Sequence, residues 1–239
     1  MMKRKTLLFF LISVLALLPC VYGFIFVQGG AGTSAPSNQK FYSDYNDDTD
    51  DSQWATLPTG WDDDYATSPA PLEGTQSLDA DTNDGYSSDA FTAVSGTVYA
   101  RYAFRNIANH GSTGPAVILS LLDASDNQLA KAELRWTTDS NTYYRLYAYD
   151  DGTNNGKTIP ITSSAFNDAT YYLYLTYNPS TSITAEVKDA TGTLVDGYSI
   201  TINTVVTSAN VSKVRIERNQ SGDVIFDKVE VRTDTNWGS

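Results

Sequence analysis

The 239-residue chain has one cysteine, Cys20, and one histidine, His110. Counts this low exclude disulfides, Cys/His metal clusters and thiol catalysis. A serine-type triad would depend on His110, which lies in the loop-like stretch ANHGSTG, and no Gly-x-Ser-x-Gly elbow is present. Positive charge is scarce too: 16 Lys and Arg stand against 28 Asp and Glu, for a net charge of −12. Such a surface repels phosphate backbones, which argues against nucleic acid as a partner. It suits solubility outside a cell, or a site for divalent cations. Beyond the first thirty residues no stretch has helical periodicity.

What is present begins with a basic start and an apolar run, MMKRKTLLFFLISVLALLPCVYGFIFV (1–27). This is the n-region and h-region of an export signal. Cleavage sites are offered at Val21-Tyr22-Gly23 and Gly29-Gly30-Ala31. Residues 7–27 are also long enough to act as an uncleaved membrane tether. Leu17-Leu18-Pro19-Cys20 resembles a bacterial lipobox, with Pro19 where a small residue belongs. All three readings place the rest of the chain outside the cytoplasm, secreted or at the cell surface. Residues 28–40, rich in Gly, Ser, Ala and Pro, read as a flexible linker. A domain over 41–234 and a short tail over 235–239 follow.

The domain reads as short alternating strands between turn clusters. VYARYAF (98–104) places Val98, Ala100, Tyr102 and Phe104 on one face. AVILSLLD (116–123) is continuously apolar, as in a strand covered on both sides. QLAKAELRW (128–136) sends Ala130, Ala132 and Leu134 inward and Lys131, Glu133 and Arg135 outward. In TYYRLYAYDD (142–151), Tyr144, Leu146 and Ala148 point inward, while Tyr143, Arg145, Tyr147 and Tyr149 point outward. YYLYLTY (171–177) puts Tyr172 and Tyr174 on the outward face. ASDN, NPST, DATGT and QSGD supply the Asn, Asp and Gly that hairpin turns need. Many strands at this spacing predict an all-β, two-sheet antiparallel β-sandwich of jelly-roll type.

Several segments together resemble the concanavalin A-like lectin/glucanase superfamily in its laminin G-like branch. They are TGWDDDYATSPAPLEGTQSLDA (59–80), SGTVYARYAFR (95–105), ILSLLDASDNQLAKAELRW (118–136), DATYYLYLTYNPSTSITAEVKDATGTLV (168–195) and VIFDKVEVRTD (224–234). The resemblance implies a jelly roll, an extracellular setting and, for many members, glycan binding. Galactose-binding-like modules share the opening and are also sandwiches. The superfamily's glucanase string, Glu-x-Asp-x-x-Glu, is missing. Lys131-Ala132-Glu133-Leu134-Arg135 is similar to the Arg-x-Glu-Leu-Arg strand of alginate lyases, without their Gln-Ile-His partner. A glycan hydrolase or lyase is therefore the least supported class, and no catalytic residue is assigned.

Two sets of candidate residues remain. Tyr147, Tyr149, Tyr172 and Tyr174, with Arg145 and Arg135, have the chemistry of a sugar platform for a polysaccharide or glycoconjugate. Phenol rings stack on the C–H face of a pyranose, and guanidinium groups donate to its hydroxyl rim or to a uronate or sulfate. The alternative is a structural or adhesive surface protein that uses the same face for protein contacts or self-association. The second set concerns Ca²⁺. The resemblance places a structural ion between the first strand and an Asp of the closing strand, which here are Asp44 and Asp227. Asp227 shares parity with Ile225, Val229 and Val231, so it reads as buried and in need of a cation or several donors; Lys213, Arg215 or backbone N–H groups are the other options. The acidic tract SDYNDDTDDSQWATLPTGWDDDY (43–65) reads either as a solvated turn-rich loop or as further oxygen ligands.

Overall fold

Period-two burial and strand-favouring residues coincide along the chain, and together they fix which side of each ribbon meets the core. The computed structural model describes residues 38–46, 51–65, 71–72, 74–106, 114–137, 143–150, 154–157, 161–162, 169–203, 210–219 and 224–237. The leader reading (1–27) and most of the linker lie outside the described residues, as does His110. No helix among the described residues is long and apolar enough to cross a membrane.

The strands are β1 (Gln39–Ser43), β2 (Trp61–Tyr65), β3 (Ser77–Ala80), β4 (Asp84–Ser87), β5 (Val98–Asn106), β6 (Gly114–Leu122), β7 (Gln128–Thr137) and β8 (Tyr143–Asp150). They continue with β9 (Asn154–Lys157), β10 (Ile161–Thr162), β11 (Tyr171–Asn178), β12 (Ser182–Asp189), β13 (Leu194–Asn203), β14 (Lys213–Arg218) and β15 (Val224–Arg232). One sheet has the order β13-β12-β11-β5-β15-β3-β2, with β1 on β15; the other runs β10-β8-β7-β6-β14-β4, with β9 on β8. The pairings are antiparallel, and the two sheets form a sandwich. β1 starts at Gln39, inside the stretch read as linker, because Gln39 pairs with Arg232 of the closing strand.

The inner faces share one core. Leu119, Leu121, Leu134, Tyr144, Leu146 and Ala148 meet Val98, Tyr102, Phe104, Leu173, Leu175 and Phe226. Tyr198 ties the sheets together by donating its hydroxyl to the Tyr144 carbonyl at 3.0 Å. Trp54 and Trp61 belong to this core as well. Trp54 stacks on Tyr86 with ring centroids 4.6 Å apart and donates to Ser43 Oγ at 3.0 Å. Trp61 stacks on Phe226 and donates to the Thr82 carbonyl, so neither buried indole N–H is left without an acceptor.

Short side chains shape the hairpins. Asp123 Oδ1 accepts from the backbone N–H groups of Ser125 and Asn127 between β6 and β7. Asp189 does the same for Thr191 and Thr193 between β12 and β13, where Gly192 takes a φ of +82°. The closing strand departs from simple alternation. Lys228 has a φ of +49°, and the register of β15 on β5 slips between Asp227 and Glu230. This β-bulge places two residues of β15 opposite Tyr102 and resets the parity. Ile225, Asp227, Glu230 and Arg232 thus share the outer face, while Val229 and Val231 turn into the core. The common parity expected for Asp227, Val229 and Val231 is corrected accordingly.

Candidate functional site

The outer face of the β7–β8 sheet is built from strands whose alternation holds as read. Tyr147 lies opposite Glu133, Tyr149 opposite Lys131, and Arg145 opposite Arg135. Inward neighbours Leu134, Tyr144, Leu146 and Ala148 are fully buried, which anchors the ribbon and commits these six to the other side. Tyr147 and Tyr149, two residues apart on β8, stand nearly parallel, with centroids 6.1 Å apart and an interplanar angle of 20°. Both are partly exposed.

Glu133 organises the face from below. It is 2% exposed. Arg135 Nε donates to its Oε1 at 2.6 Å, and Arg135 Nη2 contacts the same oxygen. Lys131 Nζ is 3.4 Å from Oε2, and the Tyr149 hydroxyl donates to Oε1 at 3.4 Å. Arg135 Nη2 also donates to the Tyr149 oxygen at 3.1 Å. The cations lie over the rings as well: Arg135 is 4.5 Å from the Tyr147 centroid and Lys131 is 4.1 Å from that of Tyr149. Burial, and after it the Glu133 charge, pushes the Tyr149 phenol up to about 12. Burial works against the charged Arg135, yet Glu133 beside it holds its pKa above the ordinary arginine value. A carboxylate so enclosed suits a clamp better than an acid or base that must touch substrate.

The face continues across the apolar β6. Ile118 is flanked by Glu133 and Glu217, and Ser120 by Lys131 and Arg215. Ile118, Ser120 and Leu122 are all buried, so this part of the strand is covered on both sides, as its continuous apolar run implied. Burial raises the Glu217 carboxyl, while Arg215 and, from across β6, Lys131 oppose that rise. On β14, the Arg215 guanidinium lies over Gly85, so close that a Cβ there would collide with it.

Tyr172 and Tyr174 do not join this face. β11 belongs to the other sheet, and their rings point out on the opposite side of the sandwich. They are also covered. Each is 8% exposed, packed with Ala103, Leu72 and the tail residue Trp237. Trp237 lies edge-on to Tyr174 at 5.4 Å and 4.5 Å from the Arg101 guanidinium. Arg101 also meets Glu230 at 3.1 Å, and Glu230 meets Arg232 at 2.9 Å. The tyrosines offered as stacking residues thus do not share one face. Tyr147, Tyr149, Arg135 and Arg145 come together, while Tyr172 and Tyr174 lie under the tail on the far side. Alternation within a strand says in or out, but not which sheet the strand joins.

Asp227 is fully buried, as expected, and protein donors answer it. Ser77 donates to Oδ2 at 2.9 Å and the Lys228 N–H to Oδ1 at 2.7 Å. Lys213 and Arg215, the other partners considered, face out from the opposite sheet. Asp44 accepts from the Tyr42 hydroxyl at 3.1 Å, and burial together with Asp44 and Asp227 raises that phenol well above its usual value. Both candidate metal carboxylates therefore lie near Tyr42. Among the described residues, no three His, Cys, Asp or Glu side chains converge as a metal site. Residues 47–50 of the 43–65 acidic tract lie outside the described residues. An open cleft of about 590 Å³ is lined by residues that include Lys40, Val94, Thr97, Tyr99 and Thr233, with no carboxylate or histidine.

No protein-family model matches the chain, and no curated protein matches it in sequence. Solved structures are similar to it in fold. The CBM2 module of the evolved Dit of Lactobacillus casei BL23 phage J-1 is 11% identical, with 84% of this chain and 98% of that chain covered and a TM-score of 0.50. A functionally unknown protein from Saccharomyces cerevisiae is 10% identical over 77% of this chain and 96% of that one, with a TM-score of 0.49. The exoplasmic/lumenal domain of VIP36, in a Ca²⁺/Man2-bound form, is 12% identical over 74% and 88%, with a TM-score of 0.48. At 11% identity the likeness to the phage module speaks for the sandwich fold alone.

Proposed function

We propose that this chain is a non-catalytic carbohydrate-binding β-sandwich that takes its glycan on the outer face of the β7–β8 sheet. The observation that carries the reading is the near-parallel, partly exposed pair Tyr147 and Tyr149, set beside Arg135 and Arg145. Pyranose C–H faces pack on the phenol rings, and the guanidinium groups donate to the hydroxyl rim. The Glu133 clamp holds Arg135 and Tyr149 in place before any ligand arrives, which lowers the ordering cost of binding. The similar phage structure is a CBM2 module, which agrees with this reading. An export signal over residues 1–27 would deliver the domain outside the cytoplasm, where such glycans lie. Calcium has no part in the proposed contact, because Asp227 already has protein donors.

A glycan array probed with the wild-type protein and Tyr147→Ala tests the reading. Binding that falls about tenfold or more in the variant supports it, the order expected for one stacking ring. An array with no signal, together with concentration-dependent self-association in light scattering, would favour the adhesive alternative.

A further inference from the structure

The outer face of the other sheet holds a tyrosine that the β7–β8 platform does not use. Tyr99 stands on β5 between Arg232 of β15 and Thr176 of β11. It is partly exposed and lines the open cleft of about 590 Å³, a volume within the roughly 300–1,000 Å³ of small-ligand sites. Further along this face Tyr172 and Tyr174 lie under cations and Trp237. No aromatic or cationic side chain among the described residues covers the Tyr99 ring, and its hydroxyl has no protein partner among them. The cleft walls are fixed separately. Gln39 pairs with Arg232 on the outer face, whereas Phe41 pairs with Val231 in the core; a β-bulge at Lys40 absorbs the change of side and sets that residue in one wall. In the 93–97 loop, buried Val94 exchanges backbone hydrogen bonds with Val211 at 2.8 and 3.0 Å, and Thr97 Oγ1 donates to Asn178 at 3.5 Å. The Thr233 N–H is held by the Asn38 carbonyl at 2.8 Å. At Gly96 a Cβ would meet nothing within 4 Å, so the cleft is open beside it.

From Tyr99 the sheet continues as a field of uncharged hydrogen-bonding groups. The row in register with it reads Thr176, Thr184 and Thr201, and the Thr184 and Thr201 hydroxyls are bonded at 2.8 Å. The next row reads Asn178, Ser182 and Asn203. These rows hold no carboxylate and no cation, on a chain of net charge −12. Arg232, beside Tyr99 in the ladder, is held by Glu230 and Asp234 instead of reaching into the cleft.

We infer that this cleft is a second glycan site, on the opposite sheet from the first, and that it takes an uncharged sugar. A neutral pyranose packs its C–H face on Tyr99, the Ser95, Thr97 and Thr233 hydroxyls meet its rim, and the rest of the glycan lies across the threonine row. Hydroxyl and amide groups donate and accept as a sugar hydroxyl does, so they pair with it without a charge. The site goes beyond the β7–β8 reading and does not depend on it. With a single ring and no ion-pair clamp behind it, it is the weaker of the two. Sites on opposite faces let one chain hold two glycan strands at once.

Tyrosine-ring NMR of the full chain, titrated with the neutral oligosaccharides cellohexaose, mannohexaose and xylohexaose, tests this, with Tyr99→Phe to assign the signal. At least one of these sugars should move the Tyr99 resonance along a saturation curve, at concentrations above those that saturate Tyr147. The Tyr99 curve should persist in Tyr147→Ala and stay the same as NaCl rises from 50 to 500 mM. Gly96→Phe puts a ring into open space and leaves Tyr99 in place to report. It should keep the melting temperature and weaken the Tyr99 curve by about tenfold or more. If Tyr147 saturates while Tyr99 stays silent, the second site falls and the β7–β8 reading stands; the reverse pattern keeps the cleft and removes that reading. A Tyr99 curve that survives Gly96→Phe, or one that salt abolishes, overturns the inference. Silence of Tyr99 with every one of these sugars does so too.

Discussion

Replacing Glu133 with Ala should unsettle the whole outer face of the β7–β8 sheet. Its carboxylate is 2% exposed and answers Arg135, Lys131 and the Tyr149 hydroxyl at once. Removing one partner of a buried ion pair costs about 3–5 kcal/mol when the other charge stays buried. Here the Arg135 and Lys131 side chains are 31% and 20% exposed, so water takes over part of their solvation and the cost drops to about 2–3 kcal/mol. In a unit of this size that lowers the melting temperature by about 5–10 °C. Urea denaturation should show the same loss with an unchanged slope, because the surface exposed on unfolding is unaltered. A double-mutant cycle with Arg135→Met isolates the pair and should give a coupling of about 1–2 kcal/mol. A Glu133→Ala protein within about 0.5 kcal/mol of wild type, or a coupling near zero, would refute the view that this carboxylate holds the tyrosine face together.

Other consequences follow from the same contacts. Tyr149 keeps its proton up to about pH 12 in the folded chain, against an ordinary value of 10.0. Its contribution is whole below pH 10, falls as the unfolded chain ionises first, and is gone above 12. Tyr149→Phe should therefore lose less stability than wild type between pH 10 and 12, by about 1 kcal/mol after allowing for solvent screening; identical pH profiles would count against the burial assigned to this phenol. Asp227→Ala should cost about 2–4 kcal/mol in urea denaturation, because Ser77 Oγ and the Lys228 N–H lose their acceptor. Adding Ca²⁺ after EDTA should move the wild-type melt by less than about 1 °C, whereas ligand-linked stabilisation of several degrees would restore a calcium role for Asp44 and Asp227. Trp237→Ala should lower stability by about 1–2 kcal/mol through its lost contacts with Arg101 and Tyr174, yet leave glycan affinity untouched. A binding loss in that variant would move the site to the other sheet.

Much of the sandwich was legible because alternation and turn chemistry are local. The outward placement of Lys131, Glu133, Arg135, Tyr147 and Tyr149 follows from period two alone, and Asp123 and Asp189 mark their hairpins by type and spacing. Long-range pairing is not local. β8 joins β7, while β11 joins β12 and β5, so two tyrosine-rich ribbons that look alike in sequence face opposite ways. The bulge at Lys228 was hidden for a different reason. A Gly or Asn there would have signalled positive φ, and a lysine does not. Trp237 was illegible because a tail carries no period, and only its landing place on Arg101 and Tyr174 reveals its role. Glu133 could be placed outward from the sequence, but its burial comes from the side chains that close over it.

Tyrosine-ring NMR during a titration with the tightest-binding oligosaccharide addresses the binding face most directly, with Tyr→Phe variants to assign the signals. Tyr147 and Tyr149 resonances should move in step with saturation, and those of Tyr172 and Tyr174 should stay where they are. Shifts at Tyr172 and Tyr174 with Tyr147 and Tyr149 silent would contradict the account.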